Sequence, residues 1–391
     1  MLVSPFEDLT GQETLAYLAS GLATELCMEL AGIGDLRVML SRPDMPGGRR
    51  KASLPDFTVR GNIRASGTMI KVVIQLLETR TGELLWTDSL KSRLEDGQLI
   101  AFQEQTAAII AAHIAGEHGA IFRAVTGKAG AKPEAYSCNY EAILKGYAYH
   151  QRITPGSFEQ AFEALERVIA GDENCGLASS MLAFLYVDNI ALEFFDTART
   201  PLDKALRLAM QGVQLLPKNQ LCRVALARVY LLNDDLEAGL RELEKIRGLA
   251  PDSVLFMDAI GYLAVLMGDW DRGERLVRRA IDLNPHYRLL TRYATWLNAF
   301  RKGDYEAAQA ETRWLAGIGF FWDPLVRAAT LGQLGRLEEG RAAIGQLLVM
   351  KPDFPQRGNT LINHCIKFPD LRQRVIDGLA ASGLQLDSAS S

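Results

Sequence analysis

The stretch Asn233-Asp234-Asp235-Leu236-Glu237-Ala238-Gly239 has a counterpart in Met267-Gly268-Asp269-Trp270-Asp271-Arg272-Gly273. The two copies lie 34 residues apart, as do the prolines Pro217, Pro251 and Pro285 around them. Each unit carries a turn pair (Asp234-Asp235 or Gly268-Asp269), then a large apolar residue (Leu236, Trp270), then a glycine (Gly239, Gly273). An apolar stripe at helical spacing follows, and a proline closes the unit. This layout spells a helix, a short turn, a second helix and a stop. One such pair cannot bury its apolar face alone, so successive pairs must stack into a solenoid with a shared core and a concave surface.

A period of this length and content is the signature of tetratricopeptide repeats. Working outward, the repeats begin at Asn139, with Leu144, Gly146 and Tyr147 in a first helix and Phe158, Ala161, Leu165 and Val168 in its partner. The next opens at Ala178 with Leu182, Ala183 and Tyr186. It then departs from the period through an insertion, Val187 to Pro201, that contains Phe194-Phe195. Insertions in such arrays map to one face. The two phenylalanines therefore belong either to a contact surface or to a plug in the solenoid core. After the regular pairs come a looser one at Gly303-Asp304-Tyr305 and a last one at Gly335-Arg336-Leu337 that ends at Pro352. The expected solenoid covers 139–367, and 368–391 holds a closing helix whose polar side faces water, plus a tail.

Before Asn139 the pattern changes. Val3 to Phe6 reads as a strand, Thr10-Gly11-Gln12-Glu13 as a capping box, and Leu15, Leu18, Leu22 and Leu26 as the apolar face of a helix over 12–31. Leu36 to Leu40 reads as a second strand. The polar loop Ser41 to Pro55 holds Arg49-Arg50-Lys51 but lacks the Lys-Ser/Thr ending of a phosphate-binding loop. A meander follows over 57–65, 69–78 and 83–91, in which Ile70, Val72, Ile74 and Leu76 mark one buried face. A helix over 96–114 completes an α/β domain, 1–123, and the Gly/Ala/Lys-rich stretch 124–138 reads as a linker. The expected fold class is thus an α/β N-terminal domain plus an all-α tetratricopeptide-repeat solenoid.

Composition narrows the function. Of 391 residues 48% are hydrophobic and 23% charged, and the net charge is −4. That balance is of a folded protein and does not point to nucleic acid or an anionic membrane as the main partner. No apolar run reaches the roughly 18 to 20 residues of a membrane span. No signal peptide is expected as written. The five cysteines are scattered and never paired as C-x-x-C, which fits neither a zinc knuckle nor a disulfide framework. A reduced, cytoplasmic chain is the expectation. His113 to His118 spaces its two histidines five apart, unlike a helical zinc pair, and no nucleophile elbow is present. The sequence predicts no catalytic residues, no metal and no cofactor.

Five motifs in order, Ser4-Pro5-Phe6-Glu7-Asp8-Leu9-Thr10-Gly11, Ala19-Ser20-Gly21-Leu22, Glu25-Leu26, Val59-Arg60-Gly61-Asn62-Ile63-Arg64 and Thr81-Gly82-Glu83-Leu84-Leu85-Trp86, resemble the TolB amino-terminal-like (FlgO-type) domain. Pro43, Pro46 and Pro55 depart from the helix that this family places before its Val-Arg-Gly strand. The tail from Gly378 to Leu384 resembles the same group. The resemblance implies the carboxyl-terminal portion of a bacterial class III adenylate cyclase or of a CadC-type winged-helix regulator. It implies that Met1 falls inside the first strand, so that the chain is a fragment or that strand an edge. The reading is a non-enzymatic regulatory or scaffold protein, the sensory half of a signalling protein, with a protein or peptide partner in the groove and a possible homo-oligomer. The two rivals are an accessory region of a cyclase and the sensor of a transcriptional regulator. Arg228, Asp258, Tyr262, Arg292 and Trp296 fall near groove-facing positions, where arginine and aromatic residues are enriched in binding hot spots; packing between repeats is the alternative for each. The Lys/Asn clamp for carboxylate-ended peptides is missing from these helices.

Overall fold

The protein is described by a computed structural model over residues 1–12, 15–31, 38–41, 55–93, 99–115, 120–121, 138–151, 153–249, 257–283, 289–315 and 320–387. The loop at 42–54, the stretch 122–137, His118, Pro251 and Pro285, on which several expectations rest, lie outside these residues. Two compact units emerge among the described residues, one within Met1–Glu134 and the other within Ala135–Leu249 and Phe256–Ser391.

In the first unit, strand alternation sorts the side chains. The strands are β1 (Leu2–Val3), β2 (Glu7–Asp8), β3 (Met39–Leu40), β4 (Phe57–Ser66), β5 (Met69–Glu78) and β6 (Leu84–Arg93), in the order β3-β1-β4-β5-β6, with β2 also on β4. β1 runs parallel to β3 and β4, whereas β4, β5 and β6 form an antiparallel meander. Val59 and Ile63 on β4 and Ile70, Val72, Ile74 and Leu76 on β5 are buried together. They meet helices α1 (Ala16–Ala31) and α2 (Leu99–Ala115), whose Leu18, Leu22, Leu26, Ile110 and Ile114 complete the same core. Each fully buried aliphatic side chain of this kind contributes about 1.5 to 3 kcal/mol.

The second unit is all helical among the described residues. Helices α3 (Cys138–Gln151) and α4 (Pro155–Gly171) form the first pair, α5 (Gly176–Leu192) and α6 (Leu202–Leu215) the second, and α7 (Gln220–Leu232) and α8 (Leu236–Leu249) the third. Then come α9 (Met257–Leu266) with α10 (Trp270–Leu283), α11 (Leu289–Lys302) with α12 (Tyr305–Leu315), and α13 (Trp322–Gln333) with α14 (Leu337–Met350). Each first helix packs on its own partner and on the next first helix through α5, α7, α9 and α11. This is the stacked-pair arrangement that the period requires. The turn pairs have a mechanism. Asp234, Gly268, Gly303 and Gly335 all take positive φ. At two of them the next residue caps the second helix: Asp235 Oδ1 accepts from the Ala238 amide at 3.0 Å and Asp304 Oδ1 from that of Ala307 at 3.1 Å.

The insertion after Tyr186 extends α5 to Leu192 and adds a 3-10 turn at Thr197–Arg199. Asn189 ties it down, accepting from the Phe195 amide at 2.9 Å and donating to Thr200 Oγ1 at 3.0 Å.

Two helices follow the last regular pair and do not continue it in order. α16 (Pro369–Ala381) packs against α13 and α14, where the first helix of a further pair would sit, and buries Leu371, Val375, Gly378 and Leu379. α15 (Phe354–Cys365) instead packs against α5. The α13–α16 crossing is close because both backbones carry glycine there. A Cβ placed on Gly332 would fall well inside contact distance of the Gly378 carbonyl. Gly332→Ala should therefore destabilise the protein by about 1 to 3 kcal/mol, the range of overpacked cores. Gly345→Ala, on the exposed side of α14 where nothing lies within 4 Å, should stabilise it by about 0.5 to 1 kcal/mol. Urea unfolding of the two variants against wild type checks both signs.

Candidate functional site

One register position of the first helices recurs along the array. Arg228, Tyr262, Trp296 and Thr330 follow one another at 34-residue steps, and contacts bring Asp188, 40 residues before Arg228 across the insertion, and Tyr149, 39 residues before Asp188, into the same column. The side chains join end to end. The Tyr149 hydroxyl donates to Asp188 Oδ2 at 2.9 Å. Asp188 Oδ1 accepts from the Arg228 guanidinium, an ion pair whose side chains are 4% and 8% exposed. The guanidinium also lies 5.1 Å from the Phe184 ring and 5.9 Å from that of Tyr262. Tyr262 leads to Tyr293 at 6.0 Å and Tyr293 to Trp296 at 5.3 Å, whose indole N–H donates to Thr330 Oγ1 at 2.9 Å.

Burial sets the electrostatics of this column. It pushes the Tyr149 phenol well above its usual pKa, and the Asp188 carboxylate adds to the effect. For Arg228 burial opposes the charge, but Asp188 together with Tyr262 and Cys365 outweighs it and the guanidinium is held ionised. The Tyr262 phenol is raised by burial against the pull of Arg228. All three shifts, of Tyr149, Arg228 and Tyr262, move proton exchange further from neutrality, so the column is suited to holding helices in register rather than to acid–base work.

α15 covers this column. Its stripe Phe354, Gly358, Leu361, Ile362 and Cys365 is buried. The Cys365 thiol lies within electrostatic reach of Arg228 and Asp188, and burial pushes its pKa up to about 11. Tyr262 and Tyr293 feel the same thiol. Next to it His364 bonds the Ile190 backbone of α5, and burial first, then Lys367, lowers its pKa. Ion pairs pin both ends of the helix. Lys351 Nζ meets Glu193 Oε2 at 2.7 Å and Arg357 meets the other oxygen of the same carboxylate. Lys367, its side chain only 3% exposed, meets Asp234 at 2.8 Å. Phe368 packs at a tilt against Trp270, with ring centroids 5.1 Å apart, above the bare backbone of Gly268.

The expected groove residues divide. Arg228 (7% exposed), Asp258 (4%), Tyr262 (6%) and Trp296 (0%) are buried, and the structure brings Arg228, Tyr262 and Trp296 into the one column. Arg292 turns the other way, pairing with Glu311 of α12 at 3.2 Å and lying 4.7 Å from the Trp314 ring. Phe194 and Phe195 both lie 5.5 Å from Phe158 of α4, and Phe194 also reaches Phe320 at 6.0 Å. Sequence reasoning missed Tyr149, Asp188, Tyr293 and all of α15. The stripe 354/358/361/362/365, at helical spacing just after Pro352, was the available signal. Of the histidine pair at 113 and 118, His113 sits 3.2 Å from Asp88, and His118 lies outside the described residues. Among the described residues no three His, Cys, Asp or Glu side chains are grouped as a metal would need, and no helix is long and apolar enough to cross a membrane.

No protein-family profile matches the sequence. The chain is 24% identical over 228 residues to a protein of Rhizobium meliloti (strain 1021) named "Putative adenylate cyclase 3", a match covering 54% of this chain and 36% of that protein. It thus spans little more than a third of that relative's length. Among solved structures the human IFIT1 dimer gives a TM-score of 0.48 at 16% identity, covering 72% of this chain and 64% of that one. A tetratricopeptide repeat protein from Parabacteroides merdae ATCC 43184 gives 0.35 at 14% identity, covering 63% and 98%.

The column makes a definite energetic prediction. Asp188→Ala leaves the Arg228 charge buried and alone, and should destabilise the protein by about 3 to 5 kcal/mol in chemical unfolding. Adding Arg228→Met to Asp188→Ala removes the stranded charge and should recover part of that loss. A double variant no more stable than Asp188→Ala would show that the pair is not the source of the effect.

Proposed function

We propose that this chain is a non-enzymatic protein-interaction scaffold whose groove takes a helix from a partner protein in exchange for its own α15. The observation that carries the reading is the seat of α15. A helix outside the regular order of pairs lies against the inner column through one apolar stripe and is pinned by ion pairs at its ends. Helix-in-groove recognition uses a stripe of this i, i+4, i+7 kind. The self-contact is also incomplete. Among the described residues the Tyr293 hydroxyl and His364 Nδ1 are buried without a hydrogen-bond partner, and each such group costs about 1 to 3 kcal/mol. A partner helix with a polar group at the right turn would gain what α15 forgoes, which gives it the differential affinity an exchange needs.

In this reading residues 1–123 are a TolB amino-terminal-like domain, 124–138 a linker, 139–367 the repeats and 368–391 the closing helix and tail of a cytoplasmic bacterial signalling protein. A second reading, the regulatory region of an adenylate cyclase, is favoured by the 24% identity over 228 residues to the Rhizobium meliloti protein.

The exchange is tested with a fluorescent peptide of residues 351–368. Lys351→Glu with Arg357→Glu turns both contacts with Glu193 into repulsions and should free the seat. The peptide, which keeps its own Lys351 and Arg357, should then bind this variant and not wild type in fluorescence anisotropy. No binding to a variant that retains the helical circular dichroism of wild type would overturn the proposal.

A further inference from the structure

The antiparallel meander has a second face, opposite the one that α1 and α2 cover. Alternation places Arg60 and Arg64 of β4, Lys71 of β5, and Lys91 and Arg93 of β6 on it. The strands' two acidic residues, Glu78 and Asp88, alternate to the other face, where Asp88 meets His113 of α2. The five cations thus share one face with no carboxylate from their own strands, in a chain whose net charge is −4; Glu7 of β2, in register with Asn62, joins them there but makes no ion pair with any of the five among the described residues. Register makes the clustering severe. Arg64 lies directly opposite Lys71, and Lys71 directly opposite Lys91, so three cations form one row across three strands. Like charges directly opposite across strands are destabilising. None of the five has a carboxylate partner among the described residues; Arg60 is bonded instead to the neutral Gln75, at 2.9 Å.

We propose that this sheet face, which no helix of its own unit covers among the described residues, docks on an anionic lipid membrane. An uncompensated row of like charges is relieved by a surface of opposite charge, and the rest of the face selects what kind of surface. The five cations share it with no aromatic side chain of β4, β5 or β6 on which a base would stack, as single-stranded nucleic acid platforms require. Among the described residues neither a helix nor a two-stranded ribbon projects from it to enter a duplex groove. The cations are spread in two dimensions, about 5 Å apart across the strands and roughly 13 Å apart along β4 between Arg60 and Arg64. A plane of mobile anionic headgroups can meet such a grid at every point. Met69, 42% exposed, alternates onto the same face, and Leu84, 48% exposed, pairs with Leu77 at its far end. Both are available to the headgroup boundary.

The test is cosedimentation of the full chain with vesicles of phosphatidylcholine alone or with 30% phosphatidylserine, at about 50 and 300 mM salt. Binding should require phosphatidylserine and weaken with salt. Each cation removed should weaken it about five-fold, so Arg64→Gln with Lys71→Gln and Lys91→Gln should lose roughly a hundred-fold. Because the like-charge row is relieved, that triple variant should also melt at or above the wild-type temperature. The control, Arg207→Gln with Arg278→Gln on exposed sides of the helical unit, should bind as wild type does. Absence of phosphatidylserine-dependent binding, an equal loss in the control, or row-dependent binding to duplex or single-stranded DNA without binding to vesicles would each overturn the proposal.

Discussion

The Asp188–Arg228 ion pair is the constraint around which the helical unit is arranged. Two charges removed from water need geometry good enough to offset their desolvation. Tyr149 meets that need on one side by donating to the carboxylate, and the Phe184 and Tyr262 rings flank the guanidinium on the other. Asp188 and Phe184 share α5, and Tyr149, Arg228 and Tyr262 come from α3, α7 and α9. The charge pair therefore fixes the register of α3, α5, α7 and α9 relative to one another, which apolar contacts alone would leave free to slip. Further along, the Tyr293–Trp296–Thr330 contacts do the same work without charge.

The period of 34 made the stacked helices legible, because each pair repeats the same turn chemistry and the same apolar spacing. Asp234 and Gly268 take the same left-handed turn in successive units. The strands of the first unit were legible for a similar reason: Ile70 to Leu76 alternate, and the register of the meander follows. What the sequence did not show was what fills the groove. Repeat position identifies which residues look inward but not whether water, a partner or the chain's own C-terminal helix lies there. Arg292 shows a second limit. It stands 34 residues after Asp258, yet its long side chain reaches back to Glu311 and Trp314 on its own second helix.

Charge was hidden in another way. A net charge of −4 averages over all 391 residues, whereas strand alternation separates Arg60, Arg64, Lys71, Lys91 and Arg93 from the acids between them. The cross-strand register, which no composition holds, places three of them in one row.

The central claim is that α15 lies in the groove of the free protein as a bound helix. Hydrogen exchange of the intact chain followed by mass spectrometry measures this directly. The account predicts that amides of 358–365 exchange as slowly as those of the buried helices α7 and α9. It also predicts that Lys351→Glu with Arg357→Glu speeds exchange in 358–365 while leaving α7 and α9 largely protected. Fast exchange of 358–365 in the wild-type chain, at the rate of an unstructured peptide, would contradict it.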